Sequence, residues 1–278
     1  MNKYVKKQHY YPRGLLKHFS DGKRVFIYNR EADSFNWKNY ESICYHNYMY
    51  ETKGEIDNIL ENRLSSYENR VIPIIDKIIS EILSGKTPSI VDKDVDLLWD
   101  YMWIQTHRTD AGRIMLMNNI YDPSDEERKQ PVDLIEIKTE SNKRNKFNEI
   151  YKKDGALEAL LRITKRPQNM IFHVALCVEE IECFITSDNP VMFLNGEKDH
   201  DDFQMIMPIH PNICIEFQRK NSSPSDGAVL RMTTEKIRFI NRAQINTANY
   251  FVIADRKFDV ALTFYILNRF RNPEWKLT

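Results

Sequence analysis

From Glu55 to Leu83 the apolar residues Ile56, Ile59, Leu60, Leu64, Tyr67, Val71, Ile74, Ile75, Ile78 and Ile82 recur mostly at intervals of three and four. That is the period of one helix face, so the spacing predicts a long amphipathic helix, kinked or divided at Pro73. Gly85-Lys-Thr-Pro-Ser is a breaker, and Asp92 is placed to N-cap a second long helix. Its stripe runs Val95, Leu98, Tyr101 and Met102, and then Gln105 and Arg108 fall on the same face, seven residues after Leu98 and Tyr101. An amide and a guanidinium therefore occupy positions that the pattern reserves for core. Buried alone they would cost several kcal/mol, so each must meet a partner or a solvent-filled cleft. A structural ion pair and a ligand site satisfy that demand equally well. Thr109, Asp110 and Arg113 continue the polar end.

After Pro167 the period changes. Met170–Val178, Glu182–Thr186, Phe203–Pro208, Asn212–Phe217 and Tyr250–Ala254 are short β-type runs parted by turn residues. Asp255–Arg271 reads as a closing helix, and Thr233–Asn249 contains another. Near the start, Pro12 opens a short helix bearing Leu15, Leu16 and Phe19, followed by a strand Arg24–Tyr28. Tyr40–Glu51 is rich in aromatic residues without interleaved Lys or Arg, which suits core and connecting loop better than a base-stacking platform. Asn142–Lys165 reads as one exposed helix with a basic excess, the best surface for a polyanion if one is bound. Ser124 and Glu127 have capping-box spacing. The expected fold is α+β: a helical N-terminal half packed on a mainly antiparallel sheet from the C-terminal half, joined by the strand near Val25. We expect one domain over 1–278, with a helical part over 1–166 and a β part over 167–278.

The strand-like run ending in Phe184-Ile-Thr-Ser-Asp-Asn-Pro-Val191 stops in a turn built from Ser187, Asp188, Asn189 and Pro190. Such a strand end is either a plain Asx turn or a rigid mount for a carboxylate and a hydroxyl. His9 and Arg13 flank Pro12 in the same ambiguous way. They are a surface pair beside a turn, or a proton-transfer group beside an anion clamp.

Composition narrows the classes. The 278 residues are 42% hydrophobic and 29% charged, with 40 Lys+Arg balancing 40 Asp+Glu. Bulk charge therefore gives no reason to coat nucleic acid or a membrane, although a local basic groove remains compatible. The first residues lack the apolar core of a signal peptide, and no apolar run approaches membrane-spanning length. The 4 cysteines include no C-x-x-C pair, which fits reduced thiols in a cytoplasmic protein. Only 8 glycines are present and none forms a nucleotide-phosphate loop. A divalent ion would need Asp188 and a second acid, with Glu68 the nearest. Ser187 lacks a nucleophile elbow.

Three motifs carry a resemblance: Lys7-Gln-His-Tyr-Tyr-Pro-Arg13, Gln105-Thr-His-Arg-Thr109, and Phe184–Pro190 followed by Pro208-Ile-His-Pro211. Their order and spacing resemble the bacterial domain-of-unknown-function family 4238 nearly end to end. The resemblance implies a cytoplasmic protein like those found among mobile-element and anti-phage defence genes, with no settled catalytic residues. His210 departs from it, standing where a smaller polar residue is expected. Taken with what the resemblance implies about defence and phage, the residues support three readings. In the first, His9, Arg108 and Asp188 share a cleft with Arg13, Gln105, Ser187 and Asn189 and hydrolyse a nucleic-acid phosphodiester, as a defence or toxin-like effector. In the second, the cluster binds a nucleotide, a phage-derived trigger or a partner chain without catalysis. In the third, Arg108 pairs with Asp188 and serves the fold alone.

Overall fold

Four short strands precede the first long helix, so the N-terminal half is mixed rather than helical. In the computed structural model, which describes residues 4–121, 132–177, 182–194, 203–219 and 227–272, the order begins β1 (Lys7–His9), α1 (Arg13–Leu16), β2 (Arg24–Asn29), β3 (Ser34–Asn39) and β4 (Tyr45–Asn47). Helices follow: α2 (Ile59–Leu83), α3 (Asp92–Arg108), α4 (Asp110–Tyr121), α5 (Leu134–Thr139), α6 (Ser141–Tyr151) and α7 (Ala156–Ile163). The remainder is β5 (Met170–Cys177), β6 (Thr186–Ser187), β7 (Met192–Leu194), β8 (Gln204–His210), β9 (Ile213–Arg219), β10 (Ala228–Met232), α8 (Thr234–Thr247), β11 (Phe251–Ala254) and α9 (Val260–Arg271).

The fold is mixed, with mainly antiparallel sheets. A five-stranded sheet has the order β10-β5-β9-β8-β7, and only its β10–β5 pair is parallel. A four-stranded sheet, β3-β2-β11-β6, interleaves strands from both ends of the chain. The strand near Val25 thus joins C-terminal strands, but in this second sheet. β1 and β4 form a separate antiparallel pair with Gln8 opposite His46.

Most of the predicted stripe positions face the core, although Ile56, which precedes α2, and Ile59 are exposed. Val71, Ile75 and Ile78 of α2 and Leu98, Tyr101 and Met102 of α3 meet Phe172, Met207 and Ile215 of the five-stranded sheet in the principal core. Helix α2 runs unbroken through Pro73, which lies on the exposed side, where the carbonyl released from Pro73 is open to water. Asp92 is the first residue of α3 rather than its cap; with Asp94 it places negative charge on the first turn. The single helix expected over Asn142–Lys165 is two: the first ends at Tyr151, and Gly155, with φ of 76°, stands at the N-cap of the second. The capping box at Ser124 and a glycosylation sequon at Asn221 lie outside the described residues.

Candidate functional site

The three sequence motifs converge on Tyr10. Gln105 donates to the Tyr10 carbonyl (2.7 Å) and Arg108 to the His9 carbonyl (2.6 Å), so α3 grips the backbone just before Pro12. From the opposite side the Tyr10 hydroxyl donates to Asp188 (3.2 Å). Asp188 also accepts the backbone N–H groups of Asn249 and Tyr250, each at 2.8 Å. Burial pushes its carboxyl up to about 6, opposed by the hydrogen bonds from that backbone.

Tyr10 and Tyr250 in turn hold His46. The imidazole stacks on Tyr10 (centroids 5.4 Å, planes at 22°) and meets Tyr250 edge-on at 5.4 Å. Its strand β4 is bracketed by two non-glycine residues in the left-handed region, Cys44 (φ 56°) and Tyr48 (φ 54°). Such backbone is costly and persists where the surroundings fix it, commonly around sites.

Facing His46 is Asp110, the most densely bonded carboxylate here. It accepts from His46 Nε2 (3.2 Å), the Tyr250 hydroxyl (2.6 Å), Arg113 (2.5 Å) and Arg144 (3.1 Å). Burial opposes its charge, yet Arg113, the hydrogen bond from His46 and Arg144 hold it well below the usual carboxylate range. An ionised carboxylate can only accept, so His46 Nε2 is the donor in this contact.

Local sequence explains this placement. Thr109 breaks α3 and its hydroxyl accepts the Gly112 N–H (3.1 Å), starting α4 with Asp110 at its positive end. A Cβ at Gly112 would lie 1.8 Å from the Thr106 carbonyl oxygen, so only glycine permits the sharp α3–α4 turn. From α6, Asn148 binds the Met49 and Glu51 carbonyls and accepts from Arg113.

A cleft of about 190 Å³ opens beside these groups, lined by His46, Met49, Asp110, Arg113, Ser141, Arg144 and Asn145. His46 is 43% exposed and Arg144 21%, whereas Asp110 is sealed. The Nε atoms of both arginines are buried without a hydrogen-bond partner. Two guanidiniums and an imidazole against one carboxylate leave the cleft electropositive, a setting for an oxyanion.

The expected cleft of His9, Arg108 and Asp188 is not formed. Arg108 and Asp188 are buried and satisfied by different partners, and Arg108 pairs with Glu68 (2.5 Å) and the Tyr50 hydroxyl, not with Asp188. The His9 imidazole is half-buried against the Glu41 carbonyl and Tyr45. Neighbouring side chains of an extended segment point opposite ways, so Tyr10 rather than His9 reaches Asp188. Arg13 is exposed at the start of α1. Gln105 is buried and spent on Tyr10 and Tyr101. Ser187 is buried and donates to Gln244 (2.8 Å), and Asn189 to the Thr247 carbonyl. His210 accepts the Asn212 N–H. Glu68 is committed to Arg108, and among the described residues no group of three or more His, Cys, Asp or Glu is placed to hold a metal ion.

His46 was missed because it sits in an aromatic stretch that reads as core, and left-handed backbone at Cys44 and Tyr48 leaves no sequence mark. Asp110 and Arg113 were visible as the polar continuation of α3, and Arg144 within the basic stretch.

Fold and site together define an α+β protein whose buried carboxylate organises a histidine and two arginines at a small cleft. The chain belongs to the family described as protein of unknown function DUF4238, whose model matches residues 7–258. Comparison with curated proteins and with solved structures yields no match. No helix among the described residues is long and apolar enough to cross a membrane.

Proposed function

We propose that the His46 cleft hydrolyses a phosphodiester of nucleic acid, and that the protein is a defence or toxin-like effector acting inside the cell. The observation that carries this reading is the buried Asp110 binding His46, Arg113 and Arg144 at once beside an open cleft. His46 Nδ1 takes the proton of the attacking hydroxyl, from water or a neighbouring 2′-OH, as its oxygen bonds to phosphorus. Arg144 and Arg113 meet the charge that grows on the non-bridging oxygens. Asp110 stabilises the imidazolium, and the departing ester oxygen takes a proton from solvent at the mouth of the cleft. The resemblance to proteins of defence and mobile-element loci supplies the cellular setting.

A cleft of about 190 Å³ admits one phosphate group, which equally favours a sensor that reads a nucleic-acid phosphate without cutting it. His46→Ala and Arg144→Ala separate the two. Purified protein is incubated with labelled RNA and single- and double-stranded DNA, and wild type and variants are induced in cells followed by inspection of total RNA and DNA. An enzyme loses cleavage in both variants while His46→Ala still binds. A sensor cuts nothing and loses binding only with Arg144→Ala. Intact nucleic acid with every wild-type preparation, in vitro and in arrested cells, removes the hydrolase reading.

A further inference from the structure

We infer that a second cavity, formed by α3, α7 and the start of β5, binds a guanine nucleotide. It encloses about 700 Å³, against about 190 Å³ for the His46 cleft, and lies within the range of sites for nucleotide-sized ligands. Its two walls carry opposite chemistry. Along α3, Asp92, Asp96 and Asp100 fall four residues apart and line one side. The other side is mainly basic, with Arg162, Lys165 and Arg166 alongside Glu158. Arg166 is held by Asp96 (2.7 Å) and the Met170 carbonyl (3.1 Å), so one ion pair joins the two walls.

On the α3 wall Asp100 is partly buried and makes no hydrogen bond among the described residues. Burial, and then the charge of Asp96, raise its carboxyl to about 6. It lines the cavity without a donor from the described residues. Beside it Tyr67 lines the cavity, with the Arg70 guanidinium packed over one face of its ring at 4.4 Å. Guanine offers two parallel N–H donors, N1 and N2, to the two oxygens of one carboxylate, whereas adenine offers a single amino group. At the mouth Arg162 and Lys165 are exposed and form no ion pair with described residues, so they are free for phosphate. Those cations disfavour a polyamine on the aspartate row.

The proposal is independent of the chemistry at His46. Its test is calorimetric titration of the full chain with GMP, GDP, AMP, guanosine and a zwitterionic tripeptide. GMP should bind at least tenfold tighter than AMP, with GDP tighter still. Arg162→Ala with Lys165→Ala, both on the surface, should weaken GDP at least tenfold and leave guanosine within twofold. Asp100→Asn should abolish the guanine preference while retaining the wild-type melting temperature within a few degrees. Absence of saturable GMP binding below millimolar concentration, equal affinity for AMP, indifference to the surface pair, or tighter binding of the tripeptide each overturns it.

Discussion

Asp110→Asn changes one atom at the centre of the site and its cost can be worked out. The carboxylate accepts Arg113 and Arg144 on Oδ1, and His46 and Tyr250 on Oδ2. An asparagine oxygen can keep the two arginines, but its NH₂ then faces His46 Nε2 and the Tyr250 hydroxyl, neither of which can donate to it. Two hydrogen bonds to a charged group are lost, at about 1.5–3 kcal/mol each. The guanidiniums also lose their buried counter-charge, a change that costs about 3–5 kcal/mol when one partner of such a pair is removed. Because the two figures describe overlapping interactions, we expect a total loss of about 4 kcal/mol, or roughly 8–15 °C in melting temperature for a chain this long. Urea unfolding at pH 7 and 0.15 M salt measures it. The sign with pH follows from the depressed carboxyl: its stabilisation is complete above the ordinary carboxylate range and is lost on acidification. The Asp110→Asn deficit should therefore shrink below about pH 4. A deficit under about 1 kcal/mol at pH 7 would refute the claim that this charge organises the site.

Gly112→Ala places a methyl on the Thr106 carbonyl, where neither backbone can move without undoing the α3–α4 turn; we expect a loss of about 3 kcal/mol or more, or insoluble protein, by thermal melting and soluble yield. Arg108→Met should cost about 3–5 kcal/mol in denaturant unfolding, because Glu68, the His9 carbonyl and the Tyr50 hydroxyl lose their partner. Adding Glu68→Gln should return about 1 kcal/mol or more by removing the stranded charge, and strict additivity of the two changes would count against the pair.

Long periodic stretches made much of the fold legible. The stripes of α2 and α3 and the apolar runs of β5, β8, β9 and β11 bury large faces, so their pattern was under direct physical constraint. β3 is an edge strand whose residues are mostly half-exposed or exposed, and β1 and β4 have three residues each; neither length nor alternation marks them. The positions of the three motifs were legible in the same sense, since Gln105 and Arg108 are polar groups where core was due and Asp188 stands in the turn that ends an apolar run. Their roles were not. Whether His9 or Tyr10 reaches Asp188 depends on which way an extended backbone faces, and only the grip of Gln105 and Arg108 on the carbonyls of residues 10 and 9 decides it.

Tyr10 links the His46 cleft to Asp188, and that carboxyl and His107 titrate in opposite senses. His107, packed on Trp103, is lowered from 6.5 to about 4 by burial. The unfolded chain takes its proton near pH 6.5 and the folded chain refuses it until about pH 4, so the stabilisation from neutral His107 is present above 6.5 and falls away by about 3 kcal/mol on the way to 4. Asp188 is raised from 3.8 to about 6, so the folded chain takes that proton first and gains about 3 kcal/mol as pH falls from 6 to about 4. The two nearly cancel in the wild type, and single variants should expose each. Measured as differences from wild type by urea unfolding, His107→Phe should gain about 3 kcal/mol between pH 6.5 and 4. Over pH 6 to 4 Asp188→Asn should lose a similar amount, about 3 kcal/mol. If the Asp188→Asn curve instead runs parallel to wild type, the carboxylate stays ionised throughout. The donors from Tyr10, Asn249 and Tyr250 would then outweigh its burial, and cleft geometry at His46 would be insensitive to this proton.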